Sequence, residues 1–119
     1  MPRPTVKRRS PCPLACTLDL VGDRWTLLVV RDLACGKSQF KELASCPEGI
    51  ATNILSDRLR KLVAAGLAET FPAPDAPSRA AYRLTPRGRS LGPIVASIAA
   101  WGLAHIRGTD MRLHPRFEA

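Results

Sequence analysis

A mainly α-helical domain with one small β-hairpin is the fold class that this 119-residue chain predicts. Apolar residues recur at three-four spacing in several segments separated by Gly or Pro. One pair of short apolar runs flanks a Pro-rich turn. Hydrophobic residues make up 45% and charged residues 24%, the balance of one compact domain and not of a disordered or collagen-like chain.

Met1 to Ser10 is Pro- and Arg-rich and reads as a flexible basic arm, followed by the domain over 11–107. Pro11 and Pro13 open a first helix, because a first-turn proline has no N–H partner to lose. Ala15, Leu18 and Val21 form its apolar stripe and Gly22 ends it. A second helix is expected from Asp23, its N-cap, to Cys35, with Trp25, Leu28, Val29 and Leu33 at helical spacing. Leu27 and Val30 widen that stripe, which places the helix centrally in the core.

Gly36 closes the second helix, Ser38 caps a short third one carrying Phe40 and Leu43, and Pro47 to Gly49 break the chain. Ala51 to Ala65 is the clearest amphipathic segment: Leu55, Leu59, Leu62 and Val63 share one face, opposite Asn53, Asp57, Arg60 and Lys61. Gly66 stops it. Leu67 to Phe71 and Ala80 to Leu84 read as two strands joined by an extended tip of Pro72, Pro74, Asp75, Pro77 and Ser78. Thr85 and Pro86 form an N-cap and N1 pair for a last helix bearing Leu91, Ile94, Val95, Ile98, Trp101 and His105, kinked or locally broken at Pro93. Residues 108–119 read as a polar, frayed C-terminal tail.

The formal net charge is +8 and 14 of the 18 bases are Arg, which favours a polyanionic partner. No charged side chain lies between Leu91 and Ile106, so the last helix has more apolar surface than one small core covers. That surplus points to a partner chain. Bases at Arg3, Lys7, Arg8 and Arg9 imitate a secretory signal, but Thr17 and Asp19 interrupt the stretch that follows. No apolar run approaches the ~20 residues of a membrane span, so a cytoplasmic protein with no membrane partner is expected.

Cysteines 12, 16, 35 and 46 lack the paired spacing of a zinc ribbon, and thiols without metal or other cofactor are expected. An enzyme is disfavoured, since there is no Gly-rich phosphate loop or paired-carboxylate motif, and neither His105 nor His114 has a nearby partner.

Helix, short helix, break, amphipathic helix and hairpin, in that order, is the layout of a winged helix-turn-helix, whose second turn helix enters the major groove. Asn53, Asp57 and Arg60 offer an amide, a carboxylate acceptor and a bidentate donor, the chemistry that reads adenine, cytosine and guanine edges. Ser38, Thr52, Ser56 and Lys61 are further candidate DNA contacts.

Cys12-Pro13, Leu18 and Val21-Gly22-Asp23-Arg24-Trp25-Thr26-Leu27-Leu28 through Arg31-Asp32-Leu33 resemble the opening of the HxlR-type winged helix regulators, relatives of the MarR group. Phe40-Lys41-Glu42-Leu43, Gly49-Ile50, Leu55 through Leu62, Gly66-Leu67, Tyr82 through Gly88, Ser90-Leu91 and Trp101-Gly102 continue the likeness in order. The resemblance implies a homodimeric repressor or activator, assembled through its first and last helices, that reads a near-palindromic double-stranded DNA operator. Leu18, Leu91, Ile94, Val95, Ile98 and Trp101 are then the interface candidates, and Arg79 matches a basic wing position that enters the minor groove. Two departures stand out. Ala51 occupies the usual Ser N-cap position, leaving Thr52 to serve, and Ala81 replaces an acidic wing residue that would pair with Arg79.

In a subset of these regulators the cysteine of the Cys-Pro motif senses oxidants or electrophiles. Cys12, at a helix N-cap with Arg8 and Arg9 upstream, fits a reactive thiolate, and equally a small buried hydrophobe. The effector would be a small electrophile or oxidant. Two other readings stay open: a non-specific basic nucleic-acid binder, and a protein-interaction module using the hairpin and last helix.

Overall fold

The computed structural model describes residues 8–118. The basic arm is therefore seen only at Arg8, Arg9 and Ser10, and Arg3 and Lys7 lie outside the described residues. In chain order the elements are α1 Pro13–Val21, α2 Thr26–Ala34, α3 Phe40–Ala44, α4 Thr52–Ala64, β1 Ala68–Ala73, β2 Ala76–Leu84, α5 Pro86–Arg89 and α6 Gly92–His105. The two strands pair antiparallel as a hairpin. This is a winged helix-turn-helix, the fold that element order and patterning led to.

The core forms where α2, α3, α4 and the hairpin meet. Val29, Val30 and Leu33 of α2, Leu43 of α3, and Leu55, Leu59 and Leu62 of α4 close on Leu67 and Leu84. Each such side chain contributes about 1.5–3 kcal/mol by leaving water. Trp25 packs against this cluster, as a core plug at the start of α2 should. Val63, expected on the buried stripe of α4, is exposed at its edge.

Three helix starts differ from the sequence reading. The second helix begins at Thr26, not Asp23, yet the Asp23 carboxylate accepts the N–H groups of Trp25 and Thr26 at 3.0 and 3.1 Å and so still caps its first turn. Ser38 does not cap α3; Gln39 does, in a capping box with Glu42. The Ser38 carbonyl instead accepts the Tyr82 N–H at 2.8 Å, holding the hairpin against the turn before α3. At α4 the N-cap Ala51 supplies no side-chain bond, and Thr52 is the first helical residue and not a substitute cap.

The end of α4 follows its sequence signal. Gly66 adopts φ 74°, while its N–H reaches the Val63 carbonyl and the Leu67 N–H reaches Leu62, a Schellman closure that needs glycine. Thr85 then ties the chain back, donating to the Gly66 carbonyl at 2.5 Å and accepting the Gly88 N–H at 3.1 Å. Gly88 packs so close to Leu67 that a Cβ there would overlap its carbonyl oxygen.

The hairpin is longer and tighter than the extended tip foreseen. Pro72, Pro77 and Ser78 lie within the strands, the turn is Pro74 and Asp75, and the register shifts between Pro72 and Ala73. Beyond it, the last helix is two elements: Thr85 caps α5, and Pro93 sits in the first turn of α6, where its missing N–H costs nothing. The C-terminal segment, expected to fray, docks instead. The Arg116 N–H donates to the Ala34 carbonyl at 2.8 Å and Phe117 packs onto the core over Gly92.

Little of α1 or α6 is buried. Val21 alone in α1 and Gly92 alone in α6 are fully buried, leaving Leu14, Leu18, Leu20, Ile94, Ile98, Trp101, Leu103 and Ile106 exposed. Among the described residues no helix is long and apolar enough to cross a membrane.

Candidate nucleic-acid interface

The anchoring of α4 decides which of its side chains reach outward. With Leu55, Leu59 and Leu62 inward, Thr52, Asn53, Ser56, Arg60 and Lys61 are exposed. Asn53, Ser56 and Arg60 follow three-four spacing on one surface of the helix. Asn53 and Arg60, two of the three proposed base readers, are thus presented together.

Asp57, the third, is engaged otherwise. Its carboxylate accepts from Arg58 at 2.5 Å, pairs with Lys61 at 3.2 Å and also pairs with Arg60. The Lys61 bond leads, and with Arg60 it outweighs partial burial, holding the carboxyl below its ordinary range. In the free chain Asp57 is therefore a tether for neighbouring cations and has little acceptor capacity left for a base.

Arg58, which the sequence reading passed over, is the hub of this network. Its Nε donates to Asp23 at 2.8 Å, linking the α1–α2 turn to α4. Burial raises the Asp23 carboxyl, but the Thr26 hydroxyl, Arg58 and two backbone N–H groups together take it well below the carboxylate range. No local pattern could reveal a pair 35 residues apart; the only signal was an Arg on the flank of an amphipathic helix.

A second long-range pair fixes the turn before α4. Arg31 donates both terminal nitrogens to Glu48 at 2.8 Å and its Nε to the buried Asp32 at 3.0 Å. The forked bond to Glu48 is the main cause of a guanidinium pKa raised above its usual value. The loop preceding α4 is so locked to α2.

On the wing, Arg79 lies in β2 and not at the hairpin tip, exposed, with Asp75 3.8 Å away. Asp75 thus supplies the acid that Ala81 does not, and Ala81 is buried. Gln39 also donates to Asp75 at 2.9 Å, joining the start of α3 to the wing turn. Ser38 is half-buried beside this junction.

Of the interface candidates, Leu18, Ile94, Ile98 and Trp101 are exposed, Ile98 by 56% and Trp101 by 61%. Leu91 is 7% exposed and belongs to this chain's own core, and Val95 packs against that core. Cys12 is exposed at the N-cap of α1, before Pro13. Arg9 is committed to Asp19 at 2.6 Å. Cys16 is half-buried and its thiol donates to the Ser10 carbonyl; Cys46 is buried. Among the described residues no three His, Cys, Asp or Glu side chains gather to hold a metal ion.

The family of HxlR-like helix-turn-helix proteins matches residues 20–110. The chain belongs to that family. An uncharacterized HTH-type transcriptional regulator of Mycobacterium tuberculosis is 44% identical over 85 residues, covering 71% of this chain and 53% of that protein. The chain thus spans about half the length of the curated mycobacterial relatives it matches. The crystal structure of PA1607, a candidate transcription factor, superposes with a TM-score of 0.79 at 38% identity, over 93% of this chain and 79% of that one. The reduced form of the transcriptional regulator YodB from Bacillus subtilis does so at 0.67 and 27%, over 85% and 100%; YodB structures after diamide treatment and with quinone bound also match.

Proposed function

We propose that this HxlR-like chain is a transcriptional regulator that binds a near-palindromic DNA operator as a homodimer, with α4 in the major groove and the hairpin as a wing alongside. The observation that carries the reading is α4 itself: three leucines lock one face into the core while Asn53, Ser56 and Arg60 line the opposite one. Arg58–Asp23 and Arg31–Glu48 hold the helix and its approach loop in place, which base reading requires. The exposed apolar side chains of α1 and α6 supply the surface for a second copy.

Footprinting on the DNA flanking the chain's own gene, with excess competitor DNA, tests the reading. Protection of two half-sites spaced by about one helical turn is expected. Protection that vanishes with competitor would return the protein to charge-only binding.

Cys12 adds a second part. Exposed at the N-cap of α1, it suits reaction with a small oxidant or electrophile that disturbs α1 and so the relation between the two α4 helices. The likeness to YodB, whose structures include a diamide-treated and a quinone-bound form, supports this reading. Operator affinity of native protein and Cys12→Ser, before and after diamide, decides it: the native protein should lose binding and the variant keep it.

A further inference from the structure

The last helix is held to the domain by little of its own surface. Within α6 only Gly92 is fully buried, and Val95, Ala99 and Gly102 are half-buried, while Ile94, Ile98, Trp101 and Leu103 are exposed. The chain then turns back. Gly108 adopts φ 88°, a conformation that favours glycine, and the Thr109 hydroxyl donates to the Ile106 carbonyl at 2.8 Å at the open end of α6.

What returns along the domain is an extended segment with a period of two. Leu113, Pro115 and Phe117 are half-buried, and Arg112, His114, Arg116 and Glu118 between and after them are exposed. Over its middle the segment spans a cavity of about 410 Å³, so its ends carry the attachment. At the far end the Arg116 N–H donates to the Ala34 carbonyl, at the C-terminus of α2, at 2.8 Å. Beside it Phe117 sits on Gly92, the first residue of α6, so closely that a Cβ there would lie 2.8 Å from the Phe117 Cβ. One segment thus grips both ends of α6 and the end of α2.

Leverage makes that grip matter. The 14 residues of α6 span about 21 Å. A tilt of about 10° at Gly92 would carry the far end about 3.6 Å, close to the ~3.4 Å rise of one base pair.

We propose that residues 108–118 are a strap that fixes the angle of α6 on the domain, with Phe117 as its positioning residue, and that the strap thereby sets the half-site spacing the dimer accepts. The spacing half rests on the operator-binding homodimer proposed above; the fixing of α6 does not.

Amide hydrogen exchange of the full chain, without DNA, tests the strap. The Arg116 amide should be protected, and Phe117→Ala and Gly92→Ala should each speed its exchange about tenfold or more while Leu59 and Leu62 keep native protection. Alanine is the better helix residue, so Gly92→Ala loosens the strap only by displacing Phe117. Phe117→Leu, which keeps an apolar wedge, should stay within about threefold of native, as should His114→Ala on the outward side. An unprotected Arg116 amide in the native chain, native protection in both Ala variants, or loss in His114→Ala would overturn the strap. Equal loss at Leu59 and Leu62 in both Ala variants would make Phe117 ordinary core filling and overturn it too.

The spacing half is tested on the footprinted operator with its half-sites moved by one or two base pairs. Native protein should prefer one spacing by about tenfold or more. Phe117→Ala and Gly92→Ala should bind all spacings within about twofold of one another, and an isolated half-site within about twofold of native. A native spacing preference in variants whose Arg116 amide is freed, or a loss shared by the isolated half-site, would overturn this half. If native protein binds no operator, the operator reading fails and takes the spacing half with it, while hydrogen exchange still decides the strap.

Discussion

The Asp23 carboxylate accepts the Arg58 Nε–H at 2.8 Å and so joins the α1–α2 turn to α4. Asp23 has a double duty, since it also accepts the first N–H groups of α2. Asp23→Ala should destabilise the domain by about 1–2 kcal/mol through the lost cap and ion pair. Asp23→Asn retains an acceptor oxygen and should cost less. Urea denaturation separates the two; equal losses would mean that the cap contributes nothing.

Acid stability follows from the same pairs. Asp23 and Glu48 both titrate lower in the folded chain than their ordinary 3.8 and 4.5, Glu48 chiefly through its forked bond to Arg31. Their stabilisation is present above those ordinary values and is lost as pH falls below about 4 toward the folded values. Melting temperature should therefore drop on acidification below about pH 4, and Asp23→Asn should flatten that slope. An unchanged slope in Asp23→Asn would assign the acid sensitivity elsewhere.

Assembly can be separated from folding by two α6-region substitutions. Trp101→Asp, at an exposed position, should leave the chain folded but monomeric at micromolar concentration. Leu91→Asp should unfold it, because Leu91 is buried within one chain. Sedimentation and circular dichroism check both. A folded dimer carrying Trp101→Asp would remove α6 from the interface.

Asp57 should act as a brake on binding instead of as a base reader. Asp57→Asn frees Arg60 and Lys61 from their carboxylate partner, so affinity for all DNA sequences should rise and the salt dependence steepen. Specific loss at one operator position would restore Asp57 to the reading role.

What was legible in the sequence was whatever repeats locally. The α4 stripe at Leu55, Leu59 and Leu62 with Gly66 behind it gave helix, face and stop together. The α3 cap was also within reach: Gln39 has Glu42 three residues on, whereas Ser38 has Lys41. Pro72 and Pro77 look like loop residues, so the sequence pattern underestimates the length of the hairpin. In a two-stranded ribbon both strands are edges, so prolines can be accommodated there. Long-range partners had no local signature. Phe117 over Gly92, Arg58 on Asp23 and the cavity under the C-terminal segment arise only when distant segments meet.

If the exposed row on α4 reads a DNA sequence, operator binding must survive competition from unrelated duplex. Fluorescence anisotropy with the footprinted operator, at fixed salt and with excess unrelated duplex, tests it most directly. Native protein should stay bound. Arg60→Ala should lose about 1–3 kcal/mol on the operator and tolerate substitution at one position per half-site, while Arg79→Ala weakens operator and unrelated DNA alike. Operator binding by Asn53→Ala/Arg60→Ala that matches the native protein, competitor included, would remove α4 from sequence reading.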